Sequence, residues 1–190
     1  MKLSMIKRMV LCALCVALCV VLPIAFHVIP NAGSVFLPMH IPVLLCGLVC
    51  GWQYGLMCGV LGPLVSSVLT GMPPAAILPA MIVECGVYGC TAGLMMEYVR
   101  TGRTGADLYI SLPTAMLVGR LLSGISKALI FAPGTSLKAW ATASFVTGLP
   151  GILVQLIFIP AIVAALMRSG LIPHRYEQER GAFYAKKRCH

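Results

Sequence analysis

Apolar residues run through this chain in long blocks, few of them broken by a charge. The first block, 9–29, follows directly on Lys2, Lys7 and Arg8. A helix needs roughly 20 apolar residues to cross a hydrocarbon core about 30 Å thick, and this block has that length. It exceeds the roughly 7–15 apolar residues of a secretory signal and ends in no A-x-A cleavage pattern, so it reads as a retained first helix. The second block, 41–69, is uncharged over 29 residues, too long for one span and short for two. Gly51-Trp52-Gln53-Tyr54-Gly55 interrupts it with turn-permissive glycines and two aromatics that favour the membrane interface. The pattern therefore predicts a hairpin, with helices over 40–51 and 54–70. Blocks at 77–98, 108–131 and 145–167 complete a set of six.

Charge decides whether the middle block crosses twice. Cytoplasmic loops of membrane proteins are enriched in Lys and Arg. The basic flanks are the N-terminus, the loop holding Arg100 and Arg103, and the tail from Arg168 through Arg188; the other connections hold only Lys138. These flanks share one side only if four crossings precede Arg100. The expectation is an all-α integral membrane protein, a six-transmembrane-helix bundle over 1–170 with N- and C-termini in the cytoplasm and a basic tail over 171–190.

Composition agrees. The chain is 59% hydrophobic and 10% charged, with 14 Lys+Arg against 5 Asp+Glu and a net charge of +9. Globular domains carry about 25% charged residues, so a soluble domain, disorder and a nucleic-acid-binding domain are excluded. Eight of the nine cysteines fall within or beside apolar spans, where a thiol serves as a small hydrophobe. Cys12-x-x-Cys15 lacks a second pair or a His at ligand spacing, so neither a metal nor a cofactor is expected.

Helices in lipid approach closely where small residues recur every fourth position. Gly47, Gly51, Gly55 and Gly59 keep that period, as do Gly89 and Gly93. Ala13 and Ala17 form a separate patch on the first helix, suited to internal packing or to docking another membrane subunit.

Ionisable groups inside a bilayer are rare and mark a site or a structural pair. Three fall within spans: Glu84, Arg120 and Lys127. Arg120, Ser123 and Lys127 share one face of a helix, and so do Glu84 and Tyr88; Gln155 ends a small and polar stripe on the last helix. At about 1.5 Å of rise per residue, Lys127 lies roughly 6 Å, Glu84 roughly 10 Å and Arg120 roughly 16 Å from the outer end. The surplus positive charge suits a small molecule carrying a carboxylate or similar acceptor. The competing reading is a structural Glu84–Arg120 pair with Lys127 reaching to the interface. The proline-pinned 30–42 segment, with Met39 and His40, reads as an apolar lid whose His40 could hydrogen-bond a ligand. No phosphate-binding loop, H-E-x-x-H, G-x-S-x-G or paired carboxylate occurs, so the chain is expected not to be an enzyme, and any ATP hydrolysis must come from other subunits.

Taken together, the chain resembles a substrate-binding (S) component of an energy-coupling factor (ECF) transporter, a group of prokaryotic vitamin importers. The resemblance runs from the first helix to Met167. It rests on six helices, Ala13-Leu14-Cys15-Val16-Ala17, the 36–42 segment, Gly71-Met72-Pro73-Pro74, Glu84 with Tyr88-Gly89, Gly119-Arg120, and Thr147-Gly148-Leu149-Pro150-Gly151. It implies a vitamin or precursor bound at the outer face of a bacterial cytoplasmic membrane. It also implies docking through Ala13 and Ala17 onto a transmembrane coupling subunit that joins two cytoplasmic ATPases. The positive surplus favours an acidic ligand such as pantothenate, whereas Glu84 would suit hydroxymethylpyrimidine or a pyridoxine-like ring nitrogen. Two other readings stay open: a standalone transporter in which Glu84 carries a proton, and a non-transport membrane scaffold.

Overall fold

The computed structural model describes residues 3–26, 38–126, 149–173 and 175–176. Six helices occur among them, with no strand. They are α1 (Met5–Phe26), α2 (His40–Cys50), α3 (Trp52–Thr70), α4 (Leu78–Tyr98), α5 (Thr104–Ser126) and α6 (Leu149–Arg168). Five are long and apolar enough to cross a membrane; α2, at 11 residues, is shorter. The first helix starts four residues before the expected Met9, which brings Lys7 and Arg8 into its first turn.

The α2–α3 hairpin turns on a single residue. Gly51 adopts φ +101°, a conformation that side chains other than glycine resist. Its N–H closes α2 on Gly47 O, and its own carbonyl accepts from Gly55 N to open α3. The break falls where the sequence placed it.

Every residue of α2 is buried or half-buried, as expected of a helix apolar all round its circumference. It packs against α1, α3, α4 and α6, while α1–α3, α3–α4, α4–α5 and α5–α6 contacts form an arc around it. Eleven residues rise about 16 Å and the nineteen of α3 about 28 Å. The N-terminus of α2 is therefore halfway along the bundle, where Cys19 Sγ donates to Met39 O.

Small residues set the close crossings. A Cβ at Gly47 or Gly55 would overlap the Gly89 carbonyl, one at Gly59 the Cys85 carbonyl, and one at Gly93 the backbone of Trp52. Backbone thus rests on backbone across α2, α3 and α4, the arrangement that favours association in lipid. Cys12, Cys15 and Cys19 turn inward from α1, and the Cys12 and Cys46 thiols both point to Tyr54 O at 3.6 and 3.4 Å.

The two ends of the bundle differ. The N-terminus of α1, the α2–α3 turn, the α4–α5 connection and the C-terminus of α6 come to one end, which carries Lys7, Arg8, Arg100, Arg103, Arg168 and Arg175. At the opposite end Ser66 Oγ and Ser67 Oγ donate to Met72 O (2.7 Å) and Pro73 O (2.9 Å), folding the α3–α4 connection back onto α3.

Candidate functional site

Glu84 projects from α4 seven residues into the helix, with its side chain only 13% exposed. Three side chains from three helices converge on it. Ser123 of α5 donates its hydroxyl to Glu84 Oε2 at 2.8 Å. Tyr88, one turn along α4, points its hydroxyl at Oε1 at 3.5 Å. His40, the first residue of α2, brings Nε2 to 3.6 Å from the same oxygen. The His40 and Tyr88 rings meet edge to face, with centroids 4.9 Å apart and planes at 71°.

Each contact follows from local sequence. Glu84 and Tyr88 are four apart and stack on one face of α4. Ser123 reaches across because α5 packs along α4, and His40 because α2 begins at this depth. His40 is 2% exposed, and neither ring nitrogen has a hydrogen-bond partner among the described residues. The approach to Glu84 Oε1 is too long for a hydrogen bond, so the ring nitrogens stay under-satisfied among the described residues.

Of the other expected site residues, Arg120 is buried on the same α5 face as Ser123. Gln155 is buried on α6, and Met39 is buried at the start of α2. Lys127, together with most of the 30–42 segment and the 132–144 loop, lies outside the described residues. Ala13 and Ala17 sit apart from this cluster, exposed on the far side of α1 from its cysteines.

A second polar cluster escaped the sequence reading. Asp107, in the first turn of α5, is fully buried at the basic end. Its Oδ1 accepts from Thr101 N (2.8 Å) and Thr101 Oγ1 (2.7 Å). Its Oδ2 accepts from Arg175 Nη1 (2.9 Å) and Tyr176 Oη (2.6 Å). The available signal was one acid at the edge of a basic loop. Its partners lie 68 and 69 residues away, beyond any local pattern. Among the described residues no group of three or more His, Cys, Asp or Glu has metal-holding geometry.

Five helices long and apolar enough to cross a bilayer, with polar side chains enclosed between them, define a multi-pass membrane protein. The family described as "ECF transporter, substrate-specific component" matches residues 7–168, and the chain belongs to that family. No curated protein and no solved structure matches the chain. It is therefore a substrate-binding component of an ECF transporter, which works with other ECF subunits in a membrane.

Proposed function

We propose that this component captures a small polar vitamin or vitamin precursor at the Glu84 cluster from the outer face and passes it inward. Bundle partners hydrolyse the ATP. The observation that carries the reading is the convergence of His40, Tyr88 and Ser123 on one carboxylate two turns into α4. Arg120, Gln155, Met39 and Lys127 complete the proposed lining. A carboxylate held by two hydroxyls, beside an imidazole with unmet nitrogens, suits a ligand that offers both donors and acceptors. A ring nitrogen bearing hydrogen would donate to Glu84, and a carbonyl, hydroxyl or carboxylate would accept from His40 or Arg120.

The orientation belongs to the same proposal. The basic end faces the cytoplasm by the charge rule, which puts both termini inside with six crossings, α2 making the short one. Localisation is the bacterial cytoplasmic membrane. The partners are a transmembrane coupling subunit, which docks on the Ala13–Ala17 face, and two cytoplasmic ATPases.

The test is binding of pantothenate, hydroxymethylpyrimidine and pyridoxine to the purified full chain, with mass spectrometry of whatever copurifies. One of these or a related small molecule is expected to bind, and Glu84→Gln should weaken it at least about tenfold, the worth of a hydrogen bond to a charged group. Unchanged affinity in folded Glu84→Gln would remove the cluster from the site. Uptake into vesicles driven by a pH gradient without ATP would instead favour Glu84 as a proton carrier, a reading to which the His40–Glu84 approach lends support.

A further inference from the structure

Gly119 of α5 sits against Tyr88, a side chain in contact with both Glu84 and His40. A Cβ built on Gly119 would overlap Cδ1 and Cε1 of the Tyr88 ring, so the ring lies directly on the α5 backbone. Other contacts also fix that ring. It meets His40 edge to face at 4.9 Å, its hydroxyl reaches Glu84 Oε1, and only 2% of the residue is exposed. A buried aromatic ring that a new Cβ would overlap must shift, and these contacts shift with it.

We infer that Gly119 is a positioning residue for ligand capture: the missing side chain lets Tyr88 lie on the α5 backbone, and this seat aims its hydroxyl at Glu84 and its edge at His40. The inference rests on the Glu84 cluster being the capture site. A methyl at position 119 pushes the ring toward His40 or swings the hydroxyl off Glu84, and either movement loosens both ligand-facing groups without removing any of them. The methyl adds nothing to Arg120 or Ser123, and the comparison with a Tyr88→Ala background separates its effect on the ring from any shift of α5.

The experiment uses the full chain labelled with 3-fluorotyrosine, the Tyr88 fluorine resonance being the one that Tyr88→Phe removes. Gly119→Ala should shift that resonance, while Gly105→Ala, whose new Cβ meets nothing within 4 Å, should leave it in place. Affinity for whichever of pantothenate, hydroxymethylpyrimidine or pyridoxine the wild type binds should fall about tenfold or more in Gly119→Ala, by the loss of one well-aimed hydrogen bond. In a Tyr88→Ala background the same glycine change should cost less than about threefold, because coupling between touching residues vanishes when one partner is gone. An unmoved Tyr88 resonance in folded Gly119→Ala overturns the inference, as does an equal loss of affinity in both backgrounds. Should Gly119→Ala alone fail to fold, the Tyr88→Ala/Gly119→Ala double variant decides: recovery supports the inference and continued failure overturns it. If the wild type binds none of the three and carries no small molecule, the capture reading falls, while the fluorine shift still decides whether Gly119 seats Tyr88.

Discussion

Asp107 is fully buried and accepts four hydrogen bonds, from Thr101, Arg175 and Tyr176. The arrangement ties the residues after α6 to the start of α5 through one carboxylate. Burial pushes the Tyr176 phenol above its ordinary value of 10.0, and the hydrogen bond it donates to Asp107 adds to this. A phenol whose folded value is raised stabilises the fold in full below the ordinary value and loses that contribution as pH climbs through and beyond it. Thermal stability of the purified protein should therefore fall as pH rises above about 10, and Tyr176→Phe should flatten that part of the profile. At neutral pH the same change should cost about 1.5 kcal/mol, the worth of a hydrogen bond to a charged acceptor. Asp107→Ala should cost more, about 3 kcal/mol, because Arg175, itself 9% exposed, would keep its charge without this partner. Thermal unfolding in detergent across pH measures all three. At this scale the sequence was informative about Glu84 and blind to Asp107. A lone acid within a span is conspicuous against lipid, whereas one at a basic rim is unremarkable until the fold brings Arg175 and Tyr176 to it.

Among the elements, the long helices were legible and the short one was legible only in outline. Blocks of about twenty apolar residues can do little in a membrane except span it as helices. Gly51 announced the hairpin because a turn of one residue needs its φ of +101°. What the pattern could not convey is that α2 stands at the centre of the bundle. In lipid a helix that faces neighbours and a helix that faces acyl chains are both apolar, so periodicity carries no inside-outside signal. The glycines carry part of it. Gly89 packs its Cα against the Gly55 backbone, and a Cβ there would overlap the Gly55 carbonyl. Gly89→Ala should therefore destabilise the protein by about 1–3 kcal/mol or more, the range of overpacked cores. Gly105→Ala, in the first turn of α5 with open space around it, should be neutral or stabilise by up to about 1 kcal/mol, as the removal of a helix glycine allows. A reversed order in the two melting temperatures would refute the backbone-on-backbone account of α3–α4 packing.

For the whole molecule, the decisive asymmetry lies between the two sides of α1. Cys12, Cys15 and Cys19 point into the bundle, where Cys12 and Cys19 meet the α2 and α3 backbones, whereas Ile6, Val10, Ala13, Ala17, Val21 and Ile24 recur along the opposite side. Among the described residues, packing therefore uses the cysteine face and leaves the alanines exposed. The two alanines make a shallow waist between larger apolar side chains, and small residues of this spacing let another helix come close. On the docking proposal the waist would receive the coupling subunit without touching the polar cluster, which lies across α2 on α4 and α5. Binding and coupling should accordingly separate on mutation. Ala13→Trp fills the waist with a bulky ring while changing nothing buried. It should leave affinity for the small-molecule ligand within about twofold, since the exposed face of α1 carries none of the cluster's residues. It should also abolish copurification with the transmembrane coupling subunit and ATP-dependent uptake in vesicles holding all the subunits. Uptake that survives Ala13→Trp would move the docking surface elsewhere on the bundle. Loss of ligand affinity in the isolated chain would show instead that α1 and the Glu84 cluster are coupled through α2, whose N-terminus is linked to both by the Cys19–Met39 and His40–Glu84 contacts.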